Sequence, residues 1–489
     1  MFQITRTQIN KFIIKIILAV IIFFHTIIMF AHIFNRNVPP PSLKRNTTIN
    51  IEKPKFFQMK NGLKVLIVEN HKLPLVRIGL ELDYQPFLEK DKIGIKKILG
   101  QMLRSGTKNH TKEKLDDMID YMGCSLYTSF SETSIFTMKK YLNKSVFIMS
   151  DILMNSKFDN LKELDKIIKQ RIIDISLSEK DPNAILQRVR NVLYFGKNHP
   201  YGEYETHDTI KNITLYDLKK LYEKYYIPNI SYLSFIGDIS QKEAEKLCDL
   251  YFSKWEKKSY IDDDPILKKY VIPSKIEIDI VDIPTLTQST ICFGGPVCLK
   301  KNDPEYFSSM LANGILGGGP QSRLFLNLRE KKAYTYGAYS ILKSDRNIGY
   351  FSVYTQVRNE VTEKTIKDLI KEIFEITEKK ISLEELNIKK KEISGQFILD
   401  FEDPNRISDL FICELKNNLP SGFYKNYLKK IESVTIDDVY QSCQKFFFTK
   451  NGRIIIVGKA HDILPNIKKL GYSIRFFDQF GSLIKKEEK

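Results

Sequence analysis

Apolar and polar positions change period several times along the chain, and each change marks an element. Lys64–Glu69 sets four consecutive apolar residues between charged ends, and Val76–Asp83 alternates apolar with polar or small residues. Both read as strands, as do Lys275–Asp282 and Thr290–Phe293. Helical spacing replaces this in Thr111–Tyr121, Leu161–Ser178, Thr362–Lys379 and Ser382–Asp400. In Gly94–Thr107, residues Ile95, Ile98, Leu99, Met102 and Leu103 fall on one helical face. Strands and helices do not alternate strictly, so the expected class is α+β, an antiparallel-rich sheet with helices packed on one face.

The pattern then repeats. Ile213–Leu218 (ITLYDL) is echoed by Val434–Val439 (VTIDDV), and in each a Thr caps a helix with an Asp in its first turn. Thr435 lies 221 residues after Thr214. The strands that follow end at Gly237 and Gly458, again 221 apart, and Asp181-Pro-Asn183 and Asp403-Pro-Asn405 are 222 apart. A period of this size implies duplication of a whole domain. The expected organisation is a terminal segment over 1–55, a first half over 56–257, a linker over 258–272, a second half over 273–473 and a basic tail over 474–489.

Composition narrows the function classes. With 489 residues the chain exceeds a single core. It has 43% hydrophobic and 28% charged residues, which is ordinary for a globular protein. The net charge of +17 is spread along the chain with no Arg-rich arm, aromatic-basic motif or zinc-finger spacing, which argues against nucleic-acid binding. The six cysteines form no C-x-x-C and no disulfide framework, and read as small buried hydrophobes, with a Cys292–Cys298 bridge the one pairing left open. Residues 1–51 hold no Asp or Glu, and Arg6, Lys11 and Lys15 precede the apolar run Ile16–Ala31. Extended over residues 12–34, this run is long enough to cross a bilayer and reads as an uncleaved anchor of an exported protein, periplasmic or held at an inner membrane. A cleaved signal peptide and a mitochondrial location are the alternatives. Asn35–Lys53, with three consecutive prolines, reads as a stiff tether.

Two stretches carry candidate chemistry. Gly317–Ser340 reads GGGPQSRLFLNLREKKAYTYGAYS, with Arg329 and Tyr336 after the turn Gly317, Gly318 and Gly319. Gly94–Thr107 reads GIKKILGQMLRSGT. Together they resemble the insulinase/pitrilysin family of zinc metallopeptidases. Gly94, Leu99, Met102, Gly106 and Thr107 match the frame around that family's H-x-x-E-H zinc box, but the His, Glu and His positions read Lys97, Gly100 and Gln101. The resemblance also puts a third acidic ligand on the helix before Asp181-Pro182, where Asp174 is the nearest acid. Lacking the other ligands, Asp174 reads as a solvated helix acid. None of the seven histidines forms a metal-ligand pair, and His199 in His-Pro-Tyr-Gly reads as a turn residue. The expectation is no metal in this chain.

The resemblance implies two homologous halves closing as a clamp. It implies that Arg329 and Tyr336 orient the scissile peptide while a partner brings the zinc. The expectation is therefore a non-catalytic, peptidase-like subunit, inactive alone, that forms a heterodimer with a homologous zinc-bearing peptidase subunit around an extended peptide. The Gly-rich insertion of the non-catalytic subunit of mitochondrial processing peptidase is absent, which argues against presequence reading. The rival expectations are a structural scaffold that keeps the fold without any catalytic role, and a self-sufficient peptidase with another metal site.

Overall fold

The computed structural model describes residues 53–260, 270 and 272–487, with side chains to residue 484. The expected membrane segment, most of the tether and most of the linker lie outside the described residues. No described helix is long and apolar enough to cross a membrane.

Two sheets organise the molecule from Ile51 onward, which forms one compact unit. The first contains β1 (Lys55–Gln58), β2 (Lys64–Glu69), β3 (Leu75–Leu82), β4 (Ser125–Thr128), β5 (Glu132–Met138) and β6 (Ser231–Gly237), in the order β1-β2-β6-β3-β5-β4. Only β2–β6 is parallel. The second contains β7 (Ile276–Asp282), β8 (Gln288–Val297), β9 (Ala338–Lys343), β10 (Gly349–Arg358), β11 (Gly452–Gly458), β12 (Ser473–Phe477) and β13 (Leu483–Glu487). Its order is β13-β12-β7-β11-β8-β10-β9, with β11–β7 and β12–β7 parallel. The expected basic tail is thus corrected: residues 473–487 pair as β12 and β13 at one edge of this sheet.

The first half contributes helices α1 (Ile95–Met102), α2 (Leu161–Ser178), α3 (Pro182–Phe195) and α4 (Leu215–Tyr225). The second contributes α5 (Tyr306–Gly317), α6 (Leu383–Asp400), α7 (Pro404–Lys416) and α8 (Ile436–Phe446). The repeat seen in the sequence is structural. Thr214 and Thr435 cap α4 and α8 through the same reciprocal bonds, to Asp217 and Asp438. Asp181 and Asp403 cap α3 and α7, each with Pro at the first turn.

Most helices cover one face of their own sheet, as expected. The helices after the two Asp-Pro-Asn sequences do not: they are exchanged. α3 packs on β8 and β11 of the second sheet, and α7 packs on β2 and β6 of the first. Strand periodicity explains why both faces need cover. Along β11, Ile454 and Ile456 enter the main core of the second half, whereas Ile455 and Val457 meet Ile185, Leu186 and Val189 of α3. Along β2, Val65 and Ile67 face the core of the first half, and Leu66 meets Ile412 of α7.

Candidate functional site

The exchange of α3 makes a cleft. Alternate residues of the second sheet that do not face its core line one side: Gln288, Thr290 and Cys292 on β8, and Tyr350, Tyr354, Gln356 and Arg358 on β10. α3 closes the other side with Asp181, Gln187 and Arg190. The cleft has a volume of about 1120 Å³ and also takes in Arg329 and the segment Ala333–Gly337. Arg329 and Tyr336, seven residues apart in the sequence, therefore line one cavity.

Local structure accounts for both positions. After Arg323–Phe325 the helix widens into a π-helical turn, Leu326–Lys331. Leu324 and Leu328 anchor it in the core, and Arg323 forks onto Glu385 of α6 through two 2.8 Å bonds. The widened turn leaves Arg329 half exposed, stacked 4.7 Å from the Phe325 ring centroid, with its neighbour Glu330 3.5 Å away. Ala333 then takes a left-handed φ of 50° and turns the chain back. Thr335 and Gly337 are pinned together: the Thr335 hydroxyl donates to the Gly337 carbonyl at 2.9 Å and accepts from the Gly337 N–H at 3.1 Å. The Thr355 hydroxyl lies 2.9 Å from the same carbonyl. Tyr336, between them, is 91% exposed.

Gly317, Gly318 and Gly319 do not line this cleft. They let α5 end tightly against β9. A Cβ on Gly317 would stand 2.3 Å from the Ser340 backbone nitrogen, and Gly319 has a φ of +153°.

Of the degenerate metal positions, Lys97 and Asp174 line a second hollow of about 440 Å³ across α3, which shares Ala184 and Gln187 with the first. Ile95, Ile98, Leu99 and Met102 hold α1 in the core, so the helix survives and Lys97 and Gln101 point outward together. Lys97 Nζ contacts Glu205 at 2.8 Å. Glu205 also pairs with Arg171, and Arg171 binds Asp174 at 2.9 Å. Asp174, expected to be merely solvated, also accepts from Gln170 at 3.0 Å. Cations and carboxylates here neutralise one another. At Gly100 a Cβ would come 2.6 Å from the Ser129 Cα and 2.7 Å from the Phe130 backbone nitrogen. Backbone fills the space a glutamate would need, so the donor set does not fit zinc. Among the described residues, no group of three His, Cys, Asp or Glu could hold a metal ion.

Other expectations are settled nearby. His199 is buried and its Nδ1 accepts from the Tyr201 N–H at 3.0 Å, while its ring stacks on Phe195, as a turn residue should. All six cysteines are free thiols, Cys292 and Cys298 included.

Known proteins share this architecture. The Peptidase M16 inactive domain family matches residues 212–393, the stretch that contains Arg329 and Tyr336. An uncharacterized zinc protease of Rickettsia felis is 25% identical over 407 residues, covering 80% of this chain and 94% of that protein. A non-peptidase homolog, YmxG, of Helicobacter pylori is 22% identical and covers 78% of this chain and 88% of its own length. The crystal structure of a peptidase M16 inactive domain from Pseudomonas fluorescens superposes with a TM-score of 0.74 at 20% identity, over 83% of this chain and 98% of that one.

The chain resembles the peptidase M16 family, whose inactive-domain model matches its residues 212–393. It is peptidase-like, and the positions of the zinc box read Lys97, Gly100 and Gln101. Sequence reasoning found the cleft's Arg329 and Tyr336 but missed Arg190 and Arg358 in the cleft, and Arg171 and Glu205 in the network. One signal was available for three of these. Only 15 of the 76 basic residues are arginine, so each arginine was worth placing. Glu205 lies in a loop, where no periodicity marks it.

Proposed function

We propose that this protein is the non-catalytic subunit of a two-chain peptidase, binding and orienting an extended peptide for a homologous partner that carries zinc. The observation that carries this reading is the contrast inside one chain. Arg329 and Tyr336 share an open cleft, while Lys97 and Gln101 stand where metal ligands would be needed and Gly100 where the general base would be. In this role the Arg329 guanidinium donates to a backbone carbonyl of the bound peptide, its rigid fork fixing the register. The Tyr336 hydroxyl donates to the oxygen that becomes negative as the carbonyl is attacked. The acid-free N-terminal segment fits an exported setting for the pair.

The test is peptide turnover by the full chain co-expressed with its zinc-bearing partner. Arg329→Ala and Tyr336→Phe should each lower kcat by roughly 10²–10³ without dissociating the pair on gel filtration. Unchanged turnover in both variants, with the pair intact, would end this reading and leave the scaffold role.

A further inference from the structure

The cleft has a charge bias that its role in holding peptide does not require. Three cations line it, Arg190, Arg329 and Arg358, against one carboxylate, Asp181. That carboxylate is committed, capping α3 by accepting from the Asn183 N–H at 3.0 Å. Among the described residues, neither Arg190 nor Arg358 makes an ion pair. Arg190 reaches the side chain of Asn191 at 2.9 Å and stacks 4.5 Å from the Tyr350 ring centroid. Lysine enrichment does not explain the bias, because 61 of the 76 basic residues are lysine and none lines the cleft. Arginine is the cation whose planar fork matches a carboxylate in two-point contact. Five tyrosines, residues 334, 336, 339, 350 and 354, add hydroxyl donors and ring faces to the same walls. The hollow on the other side of α3 shows no such excess, since its lysines and arginines face Glu89, Asp174, Glu203 and Glu205.

We infer that this cleft selects extended peptides bearing carboxylates, with Arg190 and Arg358 setting the preference alongside Arg329. The inference rests on the peptide-holding role above and adds the substrate class to it. It is the opposite of a cleft for basic leader peptides, which three arginines, only Arg329 of them facing a carboxylate, would repel.

The experiment measures binding of fluorescent peptides of matched length to the full chain by anisotropy. Glutamate-rich, glutamine-rich and lysine-rich peptides are used with both ends capped, together with a glutamine-rich peptide that has a free C-terminal carboxylate. A carboxylate-bearing peptide should bind about tenfold tighter than the capped neutral one, the sum of a few partly exposed ion pairs. The advantage should shrink as salt screens it. A gain for the capped acidic peptide assigns the carboxylate to side chains, and a gain confined to the free-ended neutral peptide assigns it to the chain terminus. Arg190→Glu combined with Arg358→Glu should make the lysine-rich peptide the tightest. If that pair unfolds the chain, Arg190→Gln with Arg358→Gln should flatten the series.

Equal binding of all peptides, weakened by Tyr336→Ala, would overturn the carboxylate preference and leave the peptide-holding role standing. Absence of binding by every peptide, or binding that neither Tyr336→Ala nor Arg329→Ala weakens, would overturn both.

Discussion

The two halves repeat one plan, and the places where they differ set an open, arginine-lined cleft against a degenerate zinc box. In the first half the Gly100 position of α1 is closed, while Lys97 and Gln101 point outward. Backbone at Ser129 and Phe130 occupies the space beside Gly100, and Lys97, Glu205, Arg171 and Asp174 consume one another's charge. In the second half the corresponding chemistry stays open. Arg329 and Tyr336 are held by neighbours that are pinned, yet neither is consumed by a strong internal partner. A zinc box with one position blocked by backbone and its nearby charges paired resists restoration, while the cleft of the second half stays open. The exchanged helices show a second asymmetry. Among the described residues, α3 sits in a cluster of eleven buried side chains, whereas the seat of α7 gathers three, Leu66, Tyr232 and Ile412. Polar contacts supplement the smaller seat, including Lys416 to Glu81 at 3.0 Å.

That asymmetry gives the largest expected effect on stability. Ile185→Ala in α3 should cost roughly 3–5 kcal/mol, and Ile412→Ala in α7 should fall nearer 2 kcal/mol. Both side chains are fully buried, so the difference measures the surroundings rather than the residue. Ile185 is ringed by packed apolar groups that cannot collapse into its place, while Ile412 meets fewer of them. Denaturant melts of the two variants would check the order, and equal losses would show that the two seats are energetically equivalent.

A smaller effect separates two glycines that look alike in sequence. Gly100 lies in α1 and Gly395 in α6, both inside helices. Helix propensity alone predicts a gain of about 1 kcal/mol for either change to Ala. The structure splits them. Gly395 has no neighbour within 4 Å of an added Cβ, so Gly395→Ala should stabilise the chain by up to that amount. Gly100→Ala meets backbone at 2.6 Å and should instead destabilise by roughly 1–3 kcal/mol. The same clash bears on restoring the zinc box. Lys97→His, Gly100→Glu and Gln101→His together should yield a less stable chain that takes up no stoichiometric zinc, as checked by thermal melts and elemental analysis.

How far these features were legible before the structure depends on what kind of signal each leaves. Leu161–Ser178 and Lys64–Glu69 have the bounds their periodicity implied, because a repeating apolar face records an element directly. The duplication was legible too, since capping residues are local and recur at a constant offset. Arg329 and Tyr336 could be placed because a spaced motif carries them. The exchange of α3 and α7 left no trace in the pattern: an amphipathic helix announces that it will be covered, not by which sheet. The fit of Gly100 against Ser129 was equally hidden, since it depends on the approach of residues 29 positions away. The strands found within the expected tail of 474–489 follow the same rule, because β12 is specified by pairing with the distant β7.

The smallest effect tests how alike the copied caps remain. Thr214→Ala and Thr435→Ala each remove a side-chain acceptor for a first-turn N–H, and each should cost about 1 kcal/mol at neutral pH. Their acid dependence should differ. Asp217 is paired with Lys92 as well as with Thr214, whereas Asp438 serves only its own capping box among the described residues. Burial alone would raise the Asp217 carboxyl, but the hydrogen bonds from Lys92 and Thr214 and the nearby Lys92 charge outweigh it and hold the group below the usual carboxylate range. A carboxylate depressed in the folded state contributes its full stability above its unfolded pKa of about 4 and loses it as pH falls through the lower folded value. The penalty of Thr214→Ala should therefore persist at neutral pH and shrink once Asp217 is protonated, because the protonated carboxyl no longer accepts strongly from the Thr214 hydroxyl and N–H. Replacing Lys92 with Met should move that loss to higher pH, since the depression then rests on Thr214 alone. Urea melts of the three variants across the acid range would show it, and an acid limb unmoved by Lys92→Met would mean that the extra ion pair adds nothing to the first cap.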